Sequence, residues 1–388
     1  MEIRQIYGLM NTVTSEVLGR TGIVSEDLSN VVDIGSEIFN LGQDGVDRYV
    51  RSLVNHIGKV IFVNRPYPGG VPSVLMDAWE FGSVMEKITV EMPEASENES
   101  WELVDGASYD PNIFYKPKVS AKFFNKRVTF EVDMSFTEMQ VKQSFSNVTQ
   151  LNSFLSMLYN AVERSMTVKT DALVMRTINN FIAETIHSEY DDDGLNTKSG
   201  VRAVNLLYLY KAKFADQSAL TAEKAVTDPA FIRFASYTMA NYMDRLTRIS
   251  SLFNIGGKDR FTPKELLHVI MLSDFKNAAG SYLQSDVFHD NYTALPNAET
   301  VPYWQGSGQD FAFNSISSIH VNTASGNEVQ ATGILCVMFD RDALGVSNLS
   351  RRVTTNYNAK AEFWNNFYKF DAGYFNDQNE NFIVFLVA

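Results

Sequence analysis

Histidine and cysteine are the residue types that most often build metal and catalytic sites, and their spacing in this chain supports neither. The chain has no His-x-x-x-His pair, and its five histidines are scattered: His56, His187, His268, His289 and His320. Its single cysteine, Cys336, has no second cysteine for a disulfide. A zinc site needs Cys or His at short spacing. The sequence therefore predicts no catalytic residue, no metal and no cofactor.

Three short motifs could still carry chemistry. Gly256-Gly257-Lys258 resembles the end of a phosphate-binding loop, but Leu252 stands where Gly is required and Asp259 where Ser or Thr must hold magnesium. The run 191–194 lacks the downstream Glu of an EF-hand loop, which favours a solvated turn. The triplet 340–342, Asp-Arg-Asp, could hold a cation, although a turn with a local ion pair is the favoured interpretation.

The composition excludes some partners and favours assembly. The 388-residue chain has a formal net charge of -13, and this acidity predicts no tight binding of nucleic acid. No stretch reaches the ~18 apolar residues of a membrane span, so we expect a soluble protein made in a reducing cytoplasm. Its 27 Phe and 17 Tyr favour strands and large buried contacts between subunits. Without a recognisable active site, these features indicate contact with copies of the same chain.

A charge reversal marks a long hairpin. Residues 88–115 contain seven acids and no Lys or Arg, and 116–127 are then rich in Lys and Arg. The following stretch, RVTFEVDMSF (127–136), alternates as a strand. Two interpretations stay open: a solvated surface hairpin, or an arm that packs on a neighbouring subunit. The candidate contact residues are Glu94, Glu97, Glu99, Glu102, Lys116, Lys118, Lys122, Lys126 and Arg127.

The stretch 147–187 predicts a helix that would run about 60 Å if unbroken. It lacks Pro and Gly, and Asn147 with Gln150 resembles a capping box. The polar run 167–170 interrupts the apolar stripe, so two helices or a bend are equally consistent. The helix could belong to an all-α bundle or act as a spine between sheets. The stripe consists of Leu151, Leu155, Leu158, Val162, Met166, Val174, Ile178, Phe181, Ile182 and Ile186.

Other patterns complete the element order. Three helices are expected in 1–57, the second capped by Ser25 and separated from the third by Gly42 and Gly45. Residues 58–63 read as a strand, and Asp228-Pro229 and Thr262-Pro263 as helix starts. A buried strand is expected at 267–272 and a helix at 273–288. Four more strands are expected at 329–339, 351–358, 361–375 and 381–387.

This order of elements resembles that of the major capsid proteins of tailed bacteriophages. The stretches that carry the resemblance are GKVIFVNRPY (58–67), DALVMRTINNFIAETI (171–186), FDRDALGV (339–346), RRVTTNYN (351–358) and KFDAGYFNDQNENFIVFLV (369–387). The resemblance implies an α+β fold of the Hong Kong 97 type. Its parts would be an N-terminal helical region or arm (1–57), an extended-loop hairpin with flanking strands of the peripheral domain (58–146), a spine helix (147–194), an axial domain (195–335) and returning C-terminal strands (336–388).

The resemblance also implies function and partners. Hexamers and pentamers of the chain would form an icosahedral shell around double-stranded DNA without sequence-specific binding. Three helices begin the sequence without a long charged coiled-coil preface, so we expect a separate scaffolding protein or none, together with a portal and decoration proteins. The setting would be the virion, assembled in the host bacterial cytoplasm. The alternatives are an encapsulin-type compartment, which shares the shell, and an enzyme with an unrecognised site.

Overall fold

A computed structural model describes residues 3–20, 24–26, 28–63, 74–76, 85–93, 95, 97, 105–106, 110, 112–146, 148–190, 194–195, 197–286, 296–305, 310–323 and 326–388. Its helices are α1 (Ile3–Leu18), α2 (Val31–Asn40), α3 (Gln43–Val63), α4 (Glu138–Ser144), α5 (Val148–Glu189), α6 (Leu206–Lys213), α7 (Ala222–Ala225), α8 (Pro229–Leu246), α9 (Ser273–Asp286) and α10 (Phe313–Ile316).

The strands form two larger sheets and two hairpins. They are β1 (Leu75–Met76), β2 (Met85–Val90), β3 (Val119–Phe124), β4 (Arg127–Thr137), β5 (Ala203–Asn205), β6 (Leu267–Leu272), β7 (Glu299–Val301), β8 (Ile319–Asn322), β9 (Glu328–Ala331), β10 (Ile334–Asp340), β11 (Leu344–Asn358), β12 (Phe363–Asn376) and β13 (Phe382–Leu386). One sheet has the order β1-β11-β12-β4 and the other β5-β13-β10-β6-β7, while β2-β3 and β8-β9 pair separately.

Helix α5 is one continuous helix of 42 residues that connects two hydrophobic cores. Its first half, from Leu151 to Met166, packs with α1–α4 and with aromatic residues of β4 and β12. Its second half, from Leu173 to Ile186, packs on the five-stranded sheet. The polar interruption does not break the helix, and within it the Thr170 hydroxyl donates to the Met166 carbonyl one turn earlier. Helix α5 is therefore unbroken and packs against both larger sheets, which excludes the all-α bundle, and its place as the spine of a peripheral domain stays a prediction. Asn147, the proposed cap, lies outside the described residues.

The C-terminal strands divide between the two sheets. Strand β12 lies between β11 and β4, whereas β13 lies between β5 and β10 in the other sheet. All side chains of β10 and β13 are buried. Residues 329–339 form two strands, not the single alternating strand expected. They separate at Gly333, where φ is +80° and a Cβ atom would lie 1.8 Å from the Val387 carbonyl oxygen.

Helix α8 begins as predicted, with Pro229 at its first turn and the Asp228 side chain accepting a hydrogen bond from the Phe231 amide. The expected strand at 267–272 and the helix after it are also confirmed, as β6 and α9. A capping box that the sequence reading missed begins α4. There the Thr137 side chain accepts from the Gln140 amide, and the Gln140 side chain accepts from the Thr137 amide.

Three further sequence predictions are wrong. Residues 58–63 are not a strand, because α3 continues through Val63 past the proposed boundary at residue 57. The second helix does not start at Ser25; it begins at Val31, after Leu28 takes a left-handed conformation with φ of 59°. Thr262-Pro263 starts only a turn, since the Thr262 hydroxyl donates to the buried carboxylate of Asp340 instead of capping a helix.

Candidate assembly surface

The charged hairpin is shorter than its charge pattern predicts. Strands β2 and β3 pair antiparallel from Met85 opposite Phe124 to Val90 opposite Val119. The alternating stretch after residue 126 does not extend this hairpin, because β4 pairs with β12 in the four-stranded sheet along its whole length. We call the β2–β3 hairpin and its connecting segment, residues 85–124, the arm.

Strand alternation gives the arm two chemically different faces. The inner face turns toward the body of the subunit and consists of Met85, Lys87, Thr89, Ser120, Lys122 and Phe124. Phe124 is buried against Phe375 with 5.0 Å between ring centroids, and the Thr89 and Ser120 hydroxyl oxygens lie 2.8 Å apart. The ring contact therefore joins the inner face to strand β12, whereas the hydroxyl pair links the two strands of the arm.

An ion cluster lies at the root of this inner face. The two carboxylate oxygens of Asp377 each lie 3.0 Å from an ammonium nitrogen, one of Lys87 and one of Lys122. Glu380 Oε1 lies 2.7 Å from Lys87 Nζ and 3.2 Å from Arg260 Nε. Both acids are buried. We call these five residues the clasp.

Two residues of the clasp, Asp377 and Lys87, have shifted pKa values. Burial alone would raise the pKa of Asp377, but the charge and hydrogen bonds of Lys87 and Lys122 outweigh it and lower that pKa. Burial would lower the pKa of Lys87, but its hydrogen bond to Glu380 and the charges of both acids raise it overall. Both shifts favour the charged forms of Asp377 and Lys87 around neutral pH.

The Gly256-Gly257-Lys258 motif contacts the arm. Lys258 Nζ lies 2.8 Å from Glu91 Oε1, just beyond the end of β2. The Gly256 amide donates to the Gln378 carbonyl at 2.8 Å, and a Cβ atom on Gly256 would lie 2.0 Å from the Asn379 side-chain oxygen. The glycine thus allows close packing of this loop against the 377–380 turn, and the phosphate-loop interpretation has no structural support.

The outer face of the arm is exposed and mostly apolar. It consists of Ile88 and Val90 on β2 and Val119, Ala121 and Phe123 on β3, with one charged residue, Glu86, opposite Phe123. Ile88 is 62% exposed and Phe123 61%, and Phe114 in the connecting segment reaches 83%. Scattered apolar residues are normal on a surface, but a contiguous patch of this kind marks an interaction site. The outer face therefore has the character of a contact surface that a single subunit leaves open.

The predicted contact residues fall into three groups. Glu97, Lys116, Lys118, Lys126 and Arg127 are exposed. Lys122 is engaged within its own subunit by Asp377. The other acids lie outside the described residues: Glu94, Glu99 and Glu102. Sequence reasoning missed Lys87, Asp377, Glu380 and the outer face. The alternation of Lys87, Thr89 and Glu91 with Ile88, Val90 and Met92 is a signal that could have revealed both faces.

A cavity of about 560 Å³ lies beside α5. It is lined by Met175, Tyr303, Trp304 and other residues, and the charged side chains among the described lining residues are Asp171 and Arg176. No group of three or more His, Cys, Asp or Glu side chains in the described ranges could hold a metal ion. Asp340 forms a turn with Asp342, whose amide donates to its carboxylate. None of the described helices is long and apolar enough to cross a bilayer.

Comparison with known proteins adds a family and a fold. The family model described as Phi29-like phage major capsid protein matches residues 10–386. No curated protein sequence matches. A capsid chain of Staphylococcus phage Andhra aligns with a TM-score of 0.51 at 9% identity, covering 82% of this chain and 84% of that one, and shows a shared fold. A capsid chain of cyanophage P-SCSP1u aligns with a TM-score of 0.45 at 11% identity, covering 85% and 94%.

Proposed function

Because the chain belongs to the Phi29-like phage major capsid protein family, we propose that its copies form hexamers and pentamers that tile an icosahedral shell around double-stranded DNA. The observation that carries this proposal is the exposed apolar outer face of the arm. Burying that face against a second copy removes its apolar surface from water, which favours association. The arm is thus the element through which one subunit holds the next.

Charge supplies the specificity of this contact. The tip of the arm carries the acids Glu94, Glu97, Glu99 and Glu102, and we propose that these meet basic residues of a neighbouring copy. Exposed lysines and arginine beside the hairpin are candidates for the opposite role: Lys116, Lys118, Lys126 and Arg127. Opposite charges across an interface guide its orientation more than they add to its affinity.

The other parts of the subunit have proposed places in the shell. Residues 195–335 form an axial domain around the symmetry axes, and α5 is the spine of a peripheral domain, as in the Hong Kong 97-type arrangement. The partners are a separate scaffolding protein, a portal and decoration proteins, with assembly in the host cytoplasm. The subunit acts as a structural protein without enzymatic activity. Its net charge of -13 lets packaged DNA move along the wall without tight binding.

Negative-stain electron microscopy with light scattering on the purified chain tests this function. We expect closed shells, rings of five or six subunits, or open sheets, with a scaffolding protein co-expressed if the chain alone stays monomeric. A folded protein that forms no assembly under either condition would contradict the proposal.

Reversal of the four tip acids to Lys tests the charge contact separately. We expect the variant to fold as the parent does, because Glu97, the described member of the four, is exposed, but to lose assembly. Reversal of Asp44, an exposed acid on α3 far along the chain from the arm, serves as the matched control. Normal assembly of the tip variant would show that the acids serve solubility alone.

A further inference from the structure

We propose that Asp377 and Glu380 are positioning residues that fix the angle at which the arm leaves its own subunit. This inference rests on the proposed function of the arm as the contact to a neighbour. It concerns what happens within one subunit before any contact forms. The outer face can meet a neighbouring copy only if the arm is presented in a defined direction, and the clasp supplies that direction.

Asp377 offsets the repulsion between the two lysines of the clasp. Lys87 and Lys122 occupy directly opposed positions on β2 and β3 and lie on the same face. Like charges directly opposite each other destabilise a strand pair. Asp377 places one carboxylate oxygen 3.0 Å from each ammonium nitrogen, so that a single side chain holds both strands at once.

The turn that carries Asp377 is itself rigid. The Asp377 amide donates to the Ala343 carbonyl at 2.7 Å, and its side chain accepts from the Asn379 amide at 3.1 Å. The Glu380 amide donates to the Asp377 carbonyl at 3.1 Å. Asp377 is only 1% exposed. The carboxylates therefore have a fixed position from which to hold the arm.

The turn that carries Asp377 and Glu380 lies where the two larger sheets are connected. Residues 377–381 connect β12 of the four-stranded sheet to β13 of the five-stranded sheet. Arg260, which pairs with Glu380, belongs to the loop after α8, and Lys258 of that loop pairs with Glu91 of the arm. The arm is thus oriented against both sheets and the 254–260 loop together.

Ion pairs suit this role better than apolar packing does. Hydrophobic contact is not directional, whereas hydrogen-bonded ion pairs fix the geometry of their groups. Few apolar groups join the inner face to the body, and Phe124 against Phe375 is the principal ring contact there. Without the clasp, we therefore expect the arm to take a range of orientations relative to the subunit, while both hydrophobic cores stay packed.

Hydrogen–deuterium exchange of the full-length subunit, read separately for the arm and for β10, tests the clasp. In Asp377→Asn we expect the amides of 85–90 and 119–124 to exchange at least about tenfold faster, with β10 unchanged. Asp244→Asn is the matched control, because it removes an exposed ion pair to Lys264 outside the arm. Unchanged exchange in the arm of Asp377→Asn would overturn the proposal.

A second pair of variants keeps the test decisive if Asp377→Asn fails to fold. Lys122 is partly exposed, so its replacement disturbs the body less. Lys122→Met removes the charge and keeps the apolar stem, and we expect faster exchange in the arm. Lys122→Arg keeps the charge and should stay within about twofold of the parent. Equal exchange in the two variants would show that charge does not position the arm.

Assembly yield by electron microscopy then separates the inference from the proposed function. Faster exchange in the arm with a lower yield of shells supports both. Faster exchange with normal shells would overturn the claim that the clasp presents the arm for contact. A parent protein that never assembles would contradict the shell function, while the exchange comparison would still decide whether the clasp positions the arm.

Discussion

The five-stranded sheet and the arm are both built from short strands, yet they bury their side chains very differently. Every residue of β10 and of β13 is buried, and both strands share one hydrophobic core with α5, α6 and α8. The arm has one polar face held by the clasp and one apolar face left in water. The sheet completes its own core, whereas the outer face of the arm is exposed in the single subunit, and under the proposed function a second copy covers it.

The largest effect on folding should come from deletion of 381–388. The deletion removes β13, which pairs with both β5 and β10 in the interior of the sheet. Each of its buried apolar side chains contributes roughly 1.5–3 kcal/mol. We expect an insoluble or unfolded product in circular dichroism and thermal melts. A soluble deletion variant that still assembles would show that the five-stranded sheet does not need β13 to complete its core.

Truncation of one large side chain in β13 should lower the free energy of unfolding by less than the deletion does, but still severely. Phe385 is fully buried and packs edge-on against Tyr242 with 5.3 Å between ring centroids. Phe385→Ala should lower the free energy of unfolding by about 3–5 kcal/mol in urea titrations. Phe114→Ala, which removes the same ring from the exposed segment of the arm, should change it by no more than about 0.5 kcal/mol. Similar losses of unfolding free energy in both variants would contradict the difference in burial between the sheet and the arm.

Removal of the Asp371 charge in the four-stranded sheet should lower the free energy of unfolding by an intermediate amount that depends on pH. Burial raises its pKa, but hydrogen bonds from Ser350, Thr129 and Arg352 outweigh it and hold the pKa at about 2, below the ordinary 3.8. Because the folded pKa is depressed, the stabilisation is present above pH 4 and is lost as the pH falls toward 2.

Urea titrations of Asp371→Asn across this pH range measure the effect. We expect a deficit of about 1.5–3 kcal/mol at pH 7 that disappears toward pH 2. Asp44→Asn, at an exposed pair with Arg48, should show no comparable pH dependence. A deficit for Asp371→Asn that stays constant down to pH 2 would contradict the shifted pKa.

The smallest effect on folding, and the largest on assembly, should come from the outer face of the arm. Ile88→Asp places a charge where the side chain is exposed, so the free energy of unfolding should change by no more than about 0.5 kcal/mol. The same charge cannot be buried against a neighbour without a large desolvation cost. Ile88→Val is the control. Particle counts by electron microscopy should fall for the Asp variant only, and equal counts would argue against the outer face as a contact.

Local patterns in the sequence determined the elements that depend on neighbouring residues. The apolar spacing of α5, the alternation of β4 and the Asp228-Pro229 start of α8 were all predictable, because helix periodicity, strand alternation and capping act within a few residues. The resemblance to capsid proteins gave the fold, and it also pointed to the arm as a candidate contact.

Tertiary structure decided what depends on groups distant along the chain. The pairing of Lys87 with Glu380 spans 293 residues, and no local pattern encodes it. Strand β4 follows the arm in sequence but pairs with β12, because its apolar face is buried there against the N-terminal helices. Residues 58–63 end in the run Val60-Ile61-Phe62-Val63, which is typical of a strand, yet they continue α3. Pairing and burial are set by which surfaces meet, and the free energy of that choice belongs to the whole fold.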